Sequence, residues 1–148
     1  MQRGFTLIEL VVAIAIAALL VGAIATNYAR LQQAMEYRSV VREVLAGMRT
    51  ARNEAQRSGR PVSFVVDLEQ RSYGVSDHGF GRFPDSVDVR VTVASTEAFQ
   101  RGRSAIRFLP QGGATGGSVD ILRASSGEGV RLRVDWLLGH IEQEPVVR

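Results

Sequence analysis

The sequence predicts an α+β protein in which a long N-terminal α-helix packs on a small antiparallel β-sheet or sandwich domain. An uncharged apolar run lies near the N-terminus, and apolar residues at helical spacing follow it. Beyond Pro61, apolar and polar residues alternate, as they do in strands with one buried face. A chain of 148 residues accommodates one domain with an appended segment.

The composition excludes several kinds of chemistry. The chain has no cysteine, so it offers no disulfide, zinc-thiolate site, iron–sulfur cluster or thiol nucleophile. All 18 basic residues are arginine, which also excludes Schiff-base chemistry and a lysine-dependent phosphate loop. These cofactor classes are therefore excluded, and we expect no cofactor.

The first element is the apolar run. Sixteen uncharged residues extend from Leu10 to Ala25, and residues 5–8 prolong the run across a single acidic residue, Glu9. At about 1.5 Å per residue, a helix over residues 5–25 would be roughly 30 Å long, the thickness of the hydrocarbon core of a bilayer. The sequence therefore predicts that the first half of the helix crosses a membrane.

Two ordinary explanations of this segment conflict with Glu9. A secretory signal peptide needs a basic start, an apolar core and a small-residue cleavage site, which Ala23-Ile24-Ala25 would supply. An acidic residue at the start of that core is unusual. In a plain membrane anchor, a carboxylate facing lipid costs about 2.5–3.5 kcal/mol and needs a partner.

The segment Gly4-Phe5-Thr6-Leu7-Ile8-Glu9-Leu10 resembles the start of type IV pilins and type II secretion pseudopilins. The resemblance implies that residues 1–4 are a leader peptide and that a prepilin peptidase cuts between Gly4 and Phe5. Phe5 would then be N-methylated. The helix would hold the subunit in the bacterial inner membrane as a single-pass protein, with the C-terminal domain in the periplasm, until the subunit enters a filament.

Glu9 has a role in this family context. In the apolar core of a filament, a buried carboxylate can be compensated by the N-terminal amine of a neighbouring subunit. The charge count favours the opposite orientation, since Arg3 precedes the apolar run and three arginines follow it. Many family members carry a proline where this chain has Thr26, so no proline kink is predicted here.

The helix is expected to continue as an amphipathic segment over residues 26–58. Its apolar residues recur at steps of four and three, and form the stripe Tyr37, Val41, Val44, Met48, Ala51 and Ala55. Arginines lie on one flank (Arg38, Arg42, Arg49 and Arg52) and glutamates on another (Glu36, Glu43 and Glu54). These flanks are either solvated or contact complementary stripes on adjacent subunits. Ser58-Gly59-Arg60-Pro61 is predicted to end the helix.

Residues 61–148 are expected to form the β domain, which the resemblance places in the periplasm. Three clear alternating runs and four shorter ones predict six or seven strands: 62–66, 72–76, 87–93, 105–109, 118–122, 130–136 and 139–142. Turn signals separate them, including residues 79–85 and 111–117. These strands are expected to pack against the C-terminal half of the helix.

Three segments of this domain, 65–73, 105–117 and 134–141, are similar to the GspH/FimT class of minor pseudopilins. The resemblance implies a structural subunit at or near the tip of a type II secretion pseudopilus that supports export of folded proteins across the outer membrane. Its partners would be other minor pseudopilins, the major pseudopilin, the prepilin peptidase, the inner-membrane assembly platform and an exoprotein. The alternative is a type IV pilus minor pilin that primes pilus assembly or binds DNA during uptake.

The residues that could carry catalysis have simpler interpretations. Gly112 and Gly117 have the spacing of a phosphate loop, but Ser118 stands where the lysine would be, so a tight turn is predicted. His78 and His140, the two histidines, have no spacing typical of a metal site or a catalytic triad. Asp67 and Glu69 lie at a predicted hairpin turn. We expect no enzyme and no metal site.

DNA binding would need phosphate contacts from arginines in the β domain. The candidates are Arg90, Arg101, Arg103, Arg107, Arg123, Arg131 and Arg133. Residues 61–148 hold ten arginines against eleven acidic residues, a net charge of −1, so the composition shows no dedicated basic patch.

Overall fold

The computed structural model describes residues 6–76, 78–93 and 102–146; the side chains of residues 22–27, 29 and 80 are outside the description. The chain divides into two compact units, Met1–Met35 and Glu36–Arg148. The predicted cleavage residues Gly4 and Phe5, and also Arg101, lie outside the described residues.

Helix α1 extends without interruption over Leu7–Ser58 and passes through Thr26. Thr6 precedes the helix, and its hydroxyl accepts a 3.4 Å hydrogen bond from the backbone N–H of Glu9, as N-terminal caps do. At the other end, Gly59 has a φ of 69° and its N–H bonds to the carbonyl of Ala55. The predicted helix end is therefore confirmed. Glycine favours a helix end at this position because it adopts the left-handed conformation without steric cost.

Eight strands follow in the described residues: β1 (Val62–Asp67), β2 (Ser72–Val75), β3 (Phe80–Arg82), β4 (Val87–Val93), β5 (Arg103–Phe108), β6 (Gly117–Arg123), β7 (Gly129–Val134) and β8 (Ile141–Val146). They form two four-stranded sheets, with the orders β3-β2-β1-β5 and β4-β6-β7-β8. Every pairing is antiparallel, as predicted.

The sequence prediction was wrong at three places in the β domain. The strand predicted over 139–142 begins only at Ile141, because Gly139 adopts a φ of 60° in the preceding turn. Strand β3 lies inside the segment 79–85, for which a turn is predicted. A strand of three residues is too short to show an alternating pattern in the sequence. The strand predicted over 130–136 ends at Val134. Asp135 accepts the N–H groups of Leu137 and Leu138 on Oδ1, so the chain turns there and Trp136 is exposed.

One hydrophobic core lies within the C-terminal unit, between the helix and both sheets. All six residues of the predicted stripe are buried in it, together with Val40. The largest fully buried side chains include Met48 from the helix, Phe64 and Phe108 from the first sheet and Leu132 from the second. The predicted packing of the β domain on the C-terminal half of the helix is therefore confirmed.

The sequence predicts a membrane crossing over residues 5–25. In the part of the chain that the structure describes, no helix is both long enough and apolar enough to span a membrane.

Candidate functional site

The N-terminal unit presents an apolar helix surface to its surroundings. Leu7 keeps 82% and Leu19 75% of its surface exposed. Among the side chains that the structure describes in this unit, the other exposed large apolar ones are Ile8, Leu10, Val11, Val12, Ile14, Ile16, Leu20, Val21, Tyr28, Leu31 and Met35. So many exposed apolar side chains among the described residues indicate a site of protein or membrane contact.

Glu9 is the acidic residue of the first helical turn. This position is favourable for a carboxylate, since the N-terminus of a helix carries a partial positive charge. Glu9 is exposed, and its side chain makes no ion pair with any described residue. It is therefore available to a cation from outside this unit.

The three glutamates farther along the helix contact the β domain of their own chain. Glu36 accepts a 2.7 Å hydrogen bond from the hydroxyl of Ser86, and Glu43 accepts one of 2.6 Å from the hydroxyl of Tyr73. Glu54 lies 3.6 Å from Nδ1 of His78. The acidic flank thus contacts the β domain of its own chain. The sequence pattern alone could not distinguish these contacts from contacts between subunits.

Hydrogen bonding changes the titration of the pair formed by Glu43 and Tyr73. The hydroxyls of Tyr73 and Ser39 donate to Glu43 and hold the pKa of its carboxyl below the usual range. Burial, followed by the bond to Glu43, raises the pKa of the Tyr73 phenol. The pair is therefore a charged acceptor with a neutral donor at neutral pH.

The basic flank is arranged differently. Arg38, Arg42 and Arg49 are exposed and form no ion pair among the described residues; Nε of Arg42 donates to the carbonyl of Arg38. Arg52 differs from them, since its guanidinium donates a 3.2 Å hydrogen bond to the carbonyl of Leu138 in the β domain. Three cationic groups on the helix therefore face outward.

The residues considered for catalysis have structural roles. Residues 109–116 join β5 to β6, and Gly112 and Gly116 adopt φ values of 109° and 76°, so the tight turn predicted here is confirmed, while Gly117 and Ser118 already belong to β6. Oδ1 of Asp67 accepts the N–H of Gln70 at 2.8 Å in the β1–β2 turn. His78 and His140 are both exposed. The described residues contain no cluster of three or more side chains able to hold a metal ion.

Three of the arginines considered for DNA contact already have partners in their own domain. Arg131 binds Asp120 through two 2.8 Å hydrogen bonds, which raise the pKa of its guanidinium. Arg133 lies 3.9 Å from Glu144. The guanidinium of Arg123 sits 4.4 Å above the ring of Tyr37. These contacts reduce the charge that the domain offers to a polyanion.

Sequence reasoning missed one exposed apolar feature. Trp136, Leu137 and Leu138 are adjacent in the turn between β7 and β8, and each keeps more than 60% of its surface exposed. The signal was present as three large apolar residues between a turn-forming aspartate and Gly139, but alternation had assigned the first of them to a strand.

A long helix with an exposed apolar N-terminal part, followed by an antiparallel two-sheet β domain, defines a pilin-like α+β fold. The structure is similar to that of the minor pseudopilin EpsH from the Type 2 Secretion System of Vibrio cholerae, with a TM-score of 0.50 and 15% identity over 75% of this chain and 94% of that one. That likeness concerns the fold alone.

The sequence comparisons give the family. Residues 40–138 match the family described as Type II transport protein GspH, and residues 1–25 match the prokaryotic N-terminal methylation motif. The Type II secretion system protein H of Xanthomonas campestris pv. campestris is 30% identical over 146 residues, which cover 97% of this chain and 84% of that protein. The chain belongs to the GspH family, the minor pseudopilins of type II secretion, whose members are structural subunits and not enzymes.

Proposed function

We propose that this subunit is located at or near the tip of the pseudopilus and supports the export of folded proteins across the outer membrane. Family membership implies other pseudopilins as partners. The prepilin peptidase and the inner-membrane assembly platform act on the subunit before it enters the filament, and an exoprotein contacts it afterwards. The described residues offer an exposed apolar helix and a compact β domain to these partners.

The proposed processing follows from the methylation motif. The peptidase cuts between Gly4 and Phe5, and Phe5 is then N-methylated; the match to the motif over residues 1–25 supports this step. Residues 5–25 hold the subunit in the inner membrane until assembly, with the β domain in the periplasm. The uncharged run from Leu10 to Ala25 supports this location.

The observation that carries the proposal is the state of Glu9. Its carboxylate is exposed on an apolar helix and forms no ion pair among the described residues. Burial of that helix among other subunits would leave a charge in an apolar environment, which costs several kcal/mol unless a cation compensates it. The N-terminal amine of a neighbouring subunit is the cation that we assign.

The test compares Glu9→Ala and Glu9→Gln with Glu69→Ala, which removes an exposed carboxylate from the β domain. Processing is followed by mass spectrometry, assembly by co-purification with other pseudopilins, and function by secretion of an exoprotein. We expect normal cleavage, with assembly and secretion reduced at least tenfold in both Glu9 variants and unchanged in the control. Full assembly and secretion of Glu9→Ala would contradict the assigned role.

We also assign the outward-facing Arg38, Arg42 and Arg49 to contacts between subunits. Glu36 and Glu43 are hydrogen-bonded within the domain, whereas these three arginines are exposed, which supports a contact between them and a neighbour. Reversal of Arg42 and Arg49 to glutamate should weaken co-purification with partner subunits. Unchanged co-purification would overturn this assignment.

A further inference from the structure

An apolar groove of about 300 Å³ lies beside helix α1 in the C-terminal unit, between the helix and the end of the second sheet. Its lining residues are Tyr37, Arg38, Val41, Arg42, Leu45, Val130 and Gln143. Val41 and Tyr37 belong to the buried core, whereas Leu45 and Val130 are only partly buried and pack against it. The groove therefore has an apolar floor formed by the edge of the core.

The rim of the groove is cationic. Arg38 and Arg42 are exposed on the helix side, and neither forms an ion pair among the described residues. Among the described residues that line the groove there is no aspartate or glutamate.

The acidic residues of the nearby strand do not neutralise this rim. In β8, Glu142 and Glu144 flank Gln143, and successive side chains of a strand point to opposite faces. Gln143 is paired with the buried Leu132, while Glu142 and Glu144 are paired with Arg133 and Arg131. The strand thus carries its carboxylates on the face opposite the groove.

We propose that this groove receives an apolar side chain flanked by carboxylates from an adjacent pseudopilin subunit. The inference rests on the proposed function and names the chemistry of the contact that the helix arginines make. The apolar side chain covers the floor formed by Val41, Leu45 and Val130, and the carboxylates pair with Arg38 and Arg42.

The size and the charge of the groove support this occupant. A volume near 300 Å³ corresponds to roughly ten water molecules, which is room for one or two side chains. A nucleic acid backbone would pair with the arginines but would leave the apolar floor in water. An apolar side chain next to acidic groups complements both the apolar floor and the arginines of the rim. Charges at the rim of an interface mainly set the rate and the specificity of docking.

The experiment uses the full chain in cells that carry the complete secretion system. A photo-crosslinking amino acid replaces Gln143, which is exposed at the groove, and cross-linked peptides are identified by mass spectrometry. The double variant Arg38→Glu/Arg42→Glu tests the rim. Arg60→Glu is the matched control, because Arg60 is an exposed arginine beyond the end of the helix.

We expect the crosslink to join residue 143 to an acidic, apolar-containing segment of another pseudopilin. The double reversal should lower its yield about tenfold, whereas Arg60→Glu should leave it unchanged. Replacing the cross-linked carboxylates of the partner with arginine should restore the yield in the double variant. The yield in detergent-solubilised complexes should also fall with added salt.

Two results would overturn the groove assignment while the proposed function stands. One is a subunit that co-purifies with other pseudopilins and yields no crosslink to them from position 143. The other is a crosslink whose yield is the same in the double variant and in wild type. A loss of all co-purification in the unmodified strain would instead contradict the proposed function.

Discussion

The hydroxyl of Tyr73 donates a 2.6 Å hydrogen bond to Oε2 of Glu43, and this bond joins strand β2 to helix α1. The two residues are thirty positions apart in the sequence. Glu43 also accepts a 2.8 Å bond from Ser39, one helical turn before it. A charged residue on the helix surface thus secures the first sheet to the helix.

Removing the hydroxyl of Tyr73 should weaken the contact between strand β2 and helix α1. Tyr73→Phe deletes one hydrogen bond to a carboxylate and should lower the free energy of unfolding by about 1–2 kcal/mol. Chemical denaturation followed by circular dichroism measures the change. Glu43→Gln should cost a similar amount, and the double variant should cost less than the sum of the two, because both changes remove the same bond.

The same pair predicts a pH dependence at acidic pH. Because hydrogen bonds hold the pKa of Glu43 below its ordinary value of 4.5, its contribution to stability is complete above that value and is lost as the pH falls through the lowered pKa. As the pH falls below 4.5, Glu43→Gln should show a shallower loss of stability than wild type. Glu69→Gln, which changes an exposed carboxylate, should follow the wild-type profile; identical slopes for all three proteins would refute this account.

Met48 and Met35 offer a matched pair on one helix. Met48 is fully buried in the core, whereas Met35 keeps 53% of its surface exposed. Met48→Ala should lower the free energy of unfolding by about 2–5 kcal/mol through lost burial and a cavity. Met35→Ala should change it by less than about 0.5 kcal/mol, as exposed substitutions do. Equal effects in denaturation experiments would contradict the assigned core.

Gly47 sets two effects against each other. Alanine is preferred over glycine inside a helix by about 0.8–1.0 kcal/mol. However, a Cβ built on Gly47 would lie 2.7 Å from Cε2 of Phe64, whose side chain is fully buried and cannot move aside freely. Such overpacking costs about 1–3 kcal/mol, so Gly47→Ala should be net destabilising. A rise in the midpoint of thermal unfolding would show that Phe64 can shift.

Asp135 should govern the order of the exposed apolar turn. Its Oδ1 accepts the N–H groups of Leu137 and Leu138, each at 2.9 Å. Asp135→Ala should cost about 1–2 kcal/mol and speed amide hydrogen exchange at both leucines. Asp135→Asn keeps an acceptor oxygen and should retain most of the protection. Equal exchange rates in the two variants would argue against this role.

Local patterns were sufficient for most elements. The helical stripe, the helix end at Gly59 and seven of the eight strands could be recognised, since each depends on residues close together in the chain. Strand β3 could not be recognised, because its three residues form a strand only by pairing with β2. The end of β7 was misplaced for a similar reason, as the turn depends on which backbone groups Asp135 accepts.

The order of the strands lay beyond local patterns. Strand β5 leaves its sequence neighbour β4 and pairs with β1, while β4 pairs with β6. Alternation reports which face of a strand is buried, but it carries no information about the neighbouring strand. Two sheets of four strands could therefore be found only from the assembled domain.

The sequence alone determined the apolar N-terminal helix, the acidic residue Glu9 within it and the division into a helix and a β domain. These features could be recognised because periodicity and motifs are local properties of the chain. The roles of the charges on the helix depended on folding. Tyr73, Ser86 and His78 come from distant positions to contact Glu43, Glu36 and Glu54. Arg38 and Arg42, in contrast, form no ion pair with any described residue. The glutamates of the acidic flank thus contact the β domain of their own chain, whereas Arg38, Arg42 and Arg49 of the basic flank face outward.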